Sequence, residues 1–251
     1  MTDSRPILLA DPFLPGAALA SVRVDLSHDG GWPDDAFAEL HDAERALAVT
    51  FGPARRATFV AGRRALRAAL REVSTTTGVV DEPLLHSPRG APSLPVGFAG
   101  SISHKRSRAI AIATPMTAGY VGVDLEARPS ARDADRSSIA DRILTEPERY
   151  ALGALDPLAH REATLIRFAL KEAVYKAIDP YVHRYVLFTE VELTLDTGER
   201  EAGREAGHEA GRADVRLLLP EPHMRGIEVS AQWRFDGEWI IAVARSTPSD
   251  V

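Results

Sequence analysis

The chain has 251 residues, of which 45% are hydrophobic and 26% charged, and its formal net charge is −6. This composition is typical of a soluble protein with one large or two small domains, and the acidic balance argues against nucleic acid as a partner. The absence of cysteine excludes disulfides, thiolate metal sites and cysteine nucleophiles. The N-terminus does not resemble a signal peptide and no apolar run approaches ~20 residues, so we expect a cytoplasmic protein without membrane contact.

The first half of the chain predicts two helices followed by strands. Residues 34–49 carry apolar side chains at helical spacing, and a second helix is expected from Pro53 to about Val73. Its core face is expected to comprise Phe59, Leu66, Leu70 and Val73. Residues 83–100 are rich in proline and glycine and are expected to be irregular. Strands separated by a Thr-Pro turn are predicted at 101–113 and 119–126.

The second half predicts a long helix and antiparallel strands. Thr145, followed three residues later by Glu148, indicates a helix start, and a helix over 161–178 is expected to end at Asp179-Pro180. Alternating segments that begin at Val191, Val215, Ile227 and Trp239 predict strands, the last two joined as a hairpin. The low-complexity repeat at about 198–212 is interpreted as a flexible insertion without chemistry.

Each half therefore combines a long helix with antiparallel strands. We predict the α+β fold class with two similar subdomains, 1–118 and 119–251. A ligand site is expected between them, which is a common location for such sites.

Two short stretches place charged side chains where a core element would avoid them. In V121-G-V-D-L-E126, a strand would put Asp124 and Glu126 on one face, where two carboxylates repel unless a cation or a proton lies between them. In L170-K-E-A-V-Y-K176, Glu172 and Lys176 share a helix face. Magnesium is usually held by a few carboxylates together with substrate phosphates. The pattern therefore predicts phosphate chemistry at a metal site.

The basic residues are unevenly distributed. Only three of the 30 basic residues are lysines, namely Lys105, Lys171 and Lys176, and two of them fall within one hexapeptide. Six arginines lie between residues 52 and 72, and a second basic cluster spans 104–108. Solvated helix faces explain part of this pattern, and Arg64 and Arg71 are assigned to such a face. The remainder indicates one polyanionic ligand.

Four segments taken together resemble the signature blocks of the 4′-phosphopantetheinyl transferases. They are A54-R-R-A-T-F-V-A-G-R63, G100-S-I-S-H104, V121-G-V-D-L-E126 and F168-A-L-K-E-A-V-Y-K176. They occur in order over about half of the chain. The likeness is closer to the large monomeric branch, which activates carrier proteins of siderophore, polyketide and nonribosomal peptide biosynthesis.

The resemblance implies a pseudo-duplicated fold and a reaction. The enzyme would transfer 4′-phosphopantetheine from coenzyme A, its substrate, to a serine of an acyl or peptidyl carrier protein. The reaction would depend on Mg²⁺, with Mn²⁺ as the alternative, and would release 3′,5′-ADP. A monomer is expected, because both halves of the site would lie in one chain.

The resemblance also implies roles for individual residues. Asp124, Glu126 and Glu172 would hold the metal ion, and Glu172 would also help to remove the serine proton. Lys176 and His104 would complete the catalytic set by contacting the phosphates. The remaining coenzyme A contacts would be Arg55, Arg63, Arg89, Ser103, Lys171 and Tyr175, with Arg56 as a substitute for Arg55.

Two other functions are compatible with the same residues. One is a Mg²⁺-dependent nucleotide phosphohydrolase, which would need no protein acceptor. The other is a non-catalytic relative that binds coenzyme A or a carrier protein, although the complete set of Asp124, Glu126, Glu172 and Lys176 argues against it. Carrier proteins are commonly acidic near the modified serine, so a basic rim is expected, with Arg106 and Arg108 as candidates.

Overall fold

The computed structural model describes residues 5–9, 14–24, 34–74, 81–129, 137–196, 210–220 and 226–249. The chain divides into two compact units, Met1–Val123 and Asp124–Val251. Each unit contains one long helix and an antiparallel sheet, which confirms the predicted α+β class. Of the predicted insertion, 198–209 lies outside the described residues, whereas 210–212 belongs to a strand.

The first unit packs one long helix against a four-stranded antiparallel sheet with the order β1-β2-β4-β3. Its core lies between the helix and strands β2 and β4, and it is built mainly from alanine, valine and leucine. The elements are β1 (Ile7–Leu9), β2 (Ala18–Arg23), α1 (Asp34–Ala38), α2 (Asp42–Ala48), α3 (Pro53–Val73), β3 (Phe98–Lys105) and β4 (Arg108–Pro115).

Helix α3 has the predicted bounds because proline occupies its first turn and Ser74 adopts an extended conformation after its end. Leu66 and Leu70 are fully buried, as expected. Small residues allow α3 and β4 to approach β3 closely. A Cβ on Gly62 would lie 2.9 Å from Ile102, and one on Gly100 would lie 2.6 Å from the carbonyl oxygen of Ile112.

Two predicted elements of this unit are divided in the structure. The helix expected over 34–49 is interrupted, because His41 caps α2 by accepting a hydrogen bond from the backbone N–H of Ala43. The single strand expected over 101–113 is a hairpin, since Lys105 pairs with Arg108 around a two-residue turn. Arg106 lies in this turn with a φ of 48°. Positive φ values are uncommon for arginine, so the sequence does not predict a turn at this position.

The second unit packs its long helix against a five-stranded antiparallel sheet with the order β5-β9-β8-β7-β6. Trp233, Trp239 and the apolar face of the helix are buried in this unit. The elements are β5 (Tyr120–Ala127), α4 (Ser137–Ile143), α5 (Glu146–Leu152), α6 (Pro157–Val182), β6 (Val191–Asp196), β7 (Ala210–Leu217), β8 (Ile227–Asp236) and β9 (Trp239–Pro248).

Helix α6 is longer at both ends than the sequence predicts. Asp156 caps its N-terminus by accepting hydrogen bonds from the N–H groups of Leu158 and Ala159. The expected stop at Asp179-Pro180 is wrong, because the helix continues through Pro180 to Val182 and is followed by His183, which has a left-handed conformation. None of the helices in the described ranges has both the length and the hydropathy needed to cross a membrane.

Candidate functional site

Strand β5 carries the two acidic residues of the first motif. Asp124 and Glu126 are each 5% exposed and lie two residues apart, so both side chains point to one face of the strand. Burial of two neighbouring carboxylates is costly unless positive charge compensates it. The local structure therefore concentrates negative charge at β5.

Helix α6 supplies the compensating charge and a third carboxylate. Lys176 Nζ donates a 2.7 Å hydrogen bond to Oδ1 of Asp124. Glu172 is one helical turn earlier, and burial raises the pKa of its carboxyl group. The charge of Lys176 acts against this rise, whereas Asp124 and Glu126 add to it. The four side chains thus influence one another electrostatically across β5 and α6.

The three acidic side chains fit a hard divalent cation, because such ions prefer carboxylate oxygens as ligands. A cation would also offset the repulsion of Glu172 by Asp124 and Glu126. In the part of the chain that the structure describes, no three His, Asp or Glu side chains are drawn together tightly enough to form a metal cluster. One oxygen of Asp124 is instead hydrogen-bonded to an ammonium group.

Lys171 has a different place from the one the resemblance implies. Its Nζ donates hydrogen bonds to the carbonyl oxygens of Ile143 and Phe188 and to Oε2 of Glu148, at 2.6, 3.1 and 2.6 Å. The side chain is fully buried. An ammonium group has three N–H donors, so none remains for coenzyme A. We correct its expected role from a ligand contact to an internal ion pair.

Glu148 is a buried residue of this network whose importance the sequence does not reveal. Its carboxylate accepts hydrogen bonds from the backbone N–H groups of Thr145 and Leu193 in addition to Lys171. The S/T-x-x-E pattern correctly predicts the bond at the start of α5. The other partners are 23 and 45 residues away and leave no local signal.

A small recess beside Glu172 includes the predicted residue Tyr175. The ring of Tyr175 lies 5.8 Å from that of Tyr185, and Leu187 and Phe188 line the same recess. Tyr185 and Leu187 are exposed. Part of the recess is thus apolar and open to solvent, which is compatible with an uncharged portion of a ligand.

On helix α3, the structure separates Arg55 from Arg56. Arg56 donates hydrogen bonds to the carbonyl oxygens of Ala48, Val49 and Phe51, so it closes the C-terminus of α2. Arg55 is exposed, and its guanidinium carbon lies 4.8 Å from the centre of the Phe51 ring. Arg55 is therefore the more accessible of the two for an anion.

Arg63 is buried, and burial lowers its pKa to about 10, so it remains charged near neutral pH. One of its amino groups donates to the carbonyl oxygen of Leu85, and its Nε has no hydrogen-bond partner in the described structure. Arg64 is also buried and pairs with Glu39, which corrects its assignment to a solvated face.

The remaining predicted contacts of the first unit differ in accessibility. His104 is exposed near the end of β3, whereas Ser103 is buried. Adjacent strand residues point to opposite faces, so these two side chains do not share one surface. Arg89 is exposed in a turn in which the N–H of Gly90 donates to the carbonyl oxygen of Ser87.

Comparisons with known proteins agree with the local chemistry. Residues 42–114 match the family described as 4′-phosphopantetheinyl transferase N-terminal domain, and residues 120–244 match the 4′-phosphopantetheinyl transferase superfamily. The chain is 30% identical to 4′-phosphopantetheinyl transferase Npt of Nocardia iowensis, over 84% of this chain and 87% of that protein.

Two further relatives are similar to this chain. 4′-Phosphopantetheinyl transferase Svp of Streptomyces mobaraensis is 31% identical over 86% of this chain and 83% of its own length. Enterobactin synthase component D of Salmonella typhi is 38% identical over 57% of this chain and 54% of its own length. With both units matched and a relative aligned over most of both chains, this protein belongs to the 4′-phosphopantetheinyl transferase superfamily of enzymes.

Proposed function

We propose that this enzyme transfers 4′-phosphopantetheine from coenzyme A to a serine of an acyl or peptidyl carrier protein. The observation that carries the proposal is the group formed by Asp124, Glu126, Glu172 and Lys176, whose charges are coupled across β5 and α6. Carboxylates and an ammonium group side by side suit a pyrophosphate with a divalent cation. The family membership supports the same reaction.

In the proposed reaction, the serine oxygen attacks the β-phosphorus of coenzyme A. A new P–O bond forms to the serine, and the P–O bond to 3′,5′-ADP breaks. Glu172 accepts the serine proton, directly or through a water molecule.

Asp124, Glu126 and Glu172 would hold Mg²⁺, with Mn²⁺ as an alternative. A bound divalent ion would supply Lewis acidity to the pyrophosphate. Lys176 would exchange its hydrogen bond with Asp124 for one with a phosphate oxygen. Its positive charge would then offset negative charge that develops on the departing 3′,5′-ADP.

The nucleotide end of coenzyme A would be bound by the basic residues of the first unit. Arg55 and Arg63 would contact its 3′-phosphate, since a guanidinium binds a terminal phosphate through two parallel hydrogen bonds. His104 would donate to a phosphate oxygen, and Arg89 would add positive charge. Tyr175 would contact the pantetheine arm. Lys171 is not retained as a side-chain contact, because its three donors already bind protein oxygens. Ser103 is not retained, because it points to the face of β3 opposite to that of His104.

The deciding experiment is the intact mass of an acyl or peptidyl carrier protein after incubation with this enzyme, coenzyme A and Mg²⁺. We expect the carrier to gain one phosphopantetheine. The gain should disappear in Glu172→Gln and without added metal. Cleavage of coenzyme A without a carrier would favour the phosphohydrolase, and binding without turnover across a panel of carriers would favour the non-catalytic alternative.

A further inference from the structure

Two arginines of the first unit are stacked on one pair of aromatic rings. The guanidinium carbon of Arg55 lies 4.8 Å from the centre of the Phe51 ring, and that of Arg63 lies 4.4 Å from the centre of the Phe59 ring. The two rings meet edge to face, with their centres 5.3 Å apart. These four residues form a continuous arrangement, which we call the Arg–Phe stack.

The sequence builds this stack by a period of four. Phe51, Arg55, Phe59 and Arg63 follow one another at intervals of four residues. In an α-helix, successive steps of four rotate by only about 40°, so the three members on α3 lie along one side of the helix. Phe51 precedes the helix, and its ring contacts Arg55 and Phe59. Phe59 was expected in the core, but it is only half-buried.

Stacking leaves the hydrogen-bonding edge of an arginine available. The contact between a guanidinium and a ring uses the face of the cation, whereas its N–H groups lie in its plane. In Arg63, Nε is buried without a hydrogen-bond partner in the described structure. The rings contact both guanidinium groups without accepting their N–H donors, and one amino group of Arg63 also donates to the carbonyl oxygen of Leu85.

The neighbouring arginines on α3 show the contrast. Arg56 is occupied by three carbonyl oxygens near the end of α2. Arg67 pairs with the buried carboxylate of Glu44 and also donates to the carbonyl oxygen of Glu82. Arg56 and Arg67 are thus occupied by several oxygen atoms, whereas Arg55 and Arg63 each contact a ring, and Arg63 adds one hydrogen bond to the carbonyl oxygen of Leu85.

We propose that Phe51 and Phe59 are positioning residues for the phosphate-binding arginines, and that the Arg–Phe stack determines selectivity for the 3′-phosphate of coenzyme A. This inference rests on the proposed function, because it assumes that Arg55 and Arg63 meet that phosphate. Aromatic side chains at these positions would hold the guanidinium groups ready for the anion and reduce the ordering needed when the nucleotide binds.

Calorimetric titration of the full chain with two nucleotides tests the proposal. Adenosine 3′,5′-bisphosphate carries the 3′-phosphate, and adenosine 5′-monophosphate lacks it. We expect Phe59→Leu and Phe51→Leu each to weaken binding of the bisphosphate by about tenfold and to leave the monophosphate nearly unchanged. Phe59→Tyr, which keeps a ring face, should restore the selectivity.

Phe168→Leu is the matched control. Phe168 pairs with Phe188 at 5.4 Å in the second unit, so this change removes one ring from a comparable pair. Its nucleotide selectivity should equal that of the wild-type protein. If wild type itself does not prefer the bisphosphate, the proposed phosphate site is wrong. If wild type does and the two leucine variants keep the preference, or lose affinity for both nucleotides equally, the positioning role is wrong.

Discussion

Lys176 and Asp124 form an ion pair of 2.7 Å between α6 and β5, in which the lysine is a quarter exposed and the aspartate is almost fully buried. The ammonium group of Lys176 and a divalent cation would therefore compete for the carboxylate of Asp124. Lys176 has two opposing effects in the proposed enzyme, because it repels a cation near Asp124 and attracts the phosphates of the substrate.

We predict that Lys176→Met separates these effects. Affinity for Mn²⁺ without coenzyme A should increase by about tenfold, since a positive charge beside the carboxylates is removed. In contrast, kcat/KM should fall by about a hundredfold, because a phosphate contact is lost. Electron paramagnetic resonance of free Mn²⁺ measures the first, and carrier modification the second. Weaker Mn²⁺ binding in Lys176→Met would contradict the prediction.

The buried pair Lys171–Glu148 gives a prediction about stability. Lys171→Met should lower the free energy of unfolding by about 3–5 kcal/mol, because it leaves a buried carboxylate and two carbonyl oxygens without their partner. The double variant Lys171→Met/Glu148→Gln should lose less than the sum of the single changes, since no unpaired charge remains. Urea denaturation provides the measurement. A Lys171→Met protein of unchanged stability that fails to bind coenzyme A would restore the ligand role.

Lys176 and Lys171 show which features the sequence predicts: those that depend on local patterns, and not those that depend on distant partners. Periodicity correctly predicts α3 and the hairpin of β8 and β9, because these elements depend on local patterns. Motif spacing likewise brings Asp124 and Glu126 to one face. The three hydrogen bonds of Lys171 and the bond from the Leu193 N–H to Glu148 could not be predicted, because their partners are distant in sequence. The extension of α6 through Pro180 was also missed, since packing outweighed the loss of one backbone donor.

Gly100 should be intolerant of a side chain. Gly100→Ala would place a Cβ 2.6 Å from the carbonyl oxygen of Ile112, which is held in the β3–β4 ladder, so we expect a loss of about 1–3 kcal/mol in stability. Gly153→Ala is a suitable control, because Gly153 has a right-handed helical conformation and its added Cβ would meet no heavy atom closer than 3.5 Å. Thermal unfolding of both variants checks the prediction, and equal melting temperatures would contradict the close approach.

The turn between β3 and β4 separates the two candidates for carrier recognition. Arg106 is exposed at the turn, whereas Arg108 donates a 2.7 Å hydrogen bond to Ser21. We expect Arg106→Glu to raise the KM for an acidic carrier protein severalfold at low salt and to leave the KM for coenzyme A unchanged. The difference should diminish as ionic strength increases. An unchanged carrier KM would exclude Arg106 from the interface.

The ion pair of Glu190 with Arg184 predicts a pH dependence of stability. Hydrogen bonds from Arg184 hold the pKa of Glu190 below its ordinary value of 4.5. A carboxylate with a lowered folded-state pKa stabilises the fold above the unfolded-state value, and this contribution is lost as the pH falls through the folded-state value. Glu190→Gln should therefore be less stable than wild type by about 1 kcal/mol at pH 7, and the difference should shrink below pH 4.5. Urea denaturation across this range tests the sign: a difference that grows on acidification would show that the pair does not stabilise the ionised carboxylate.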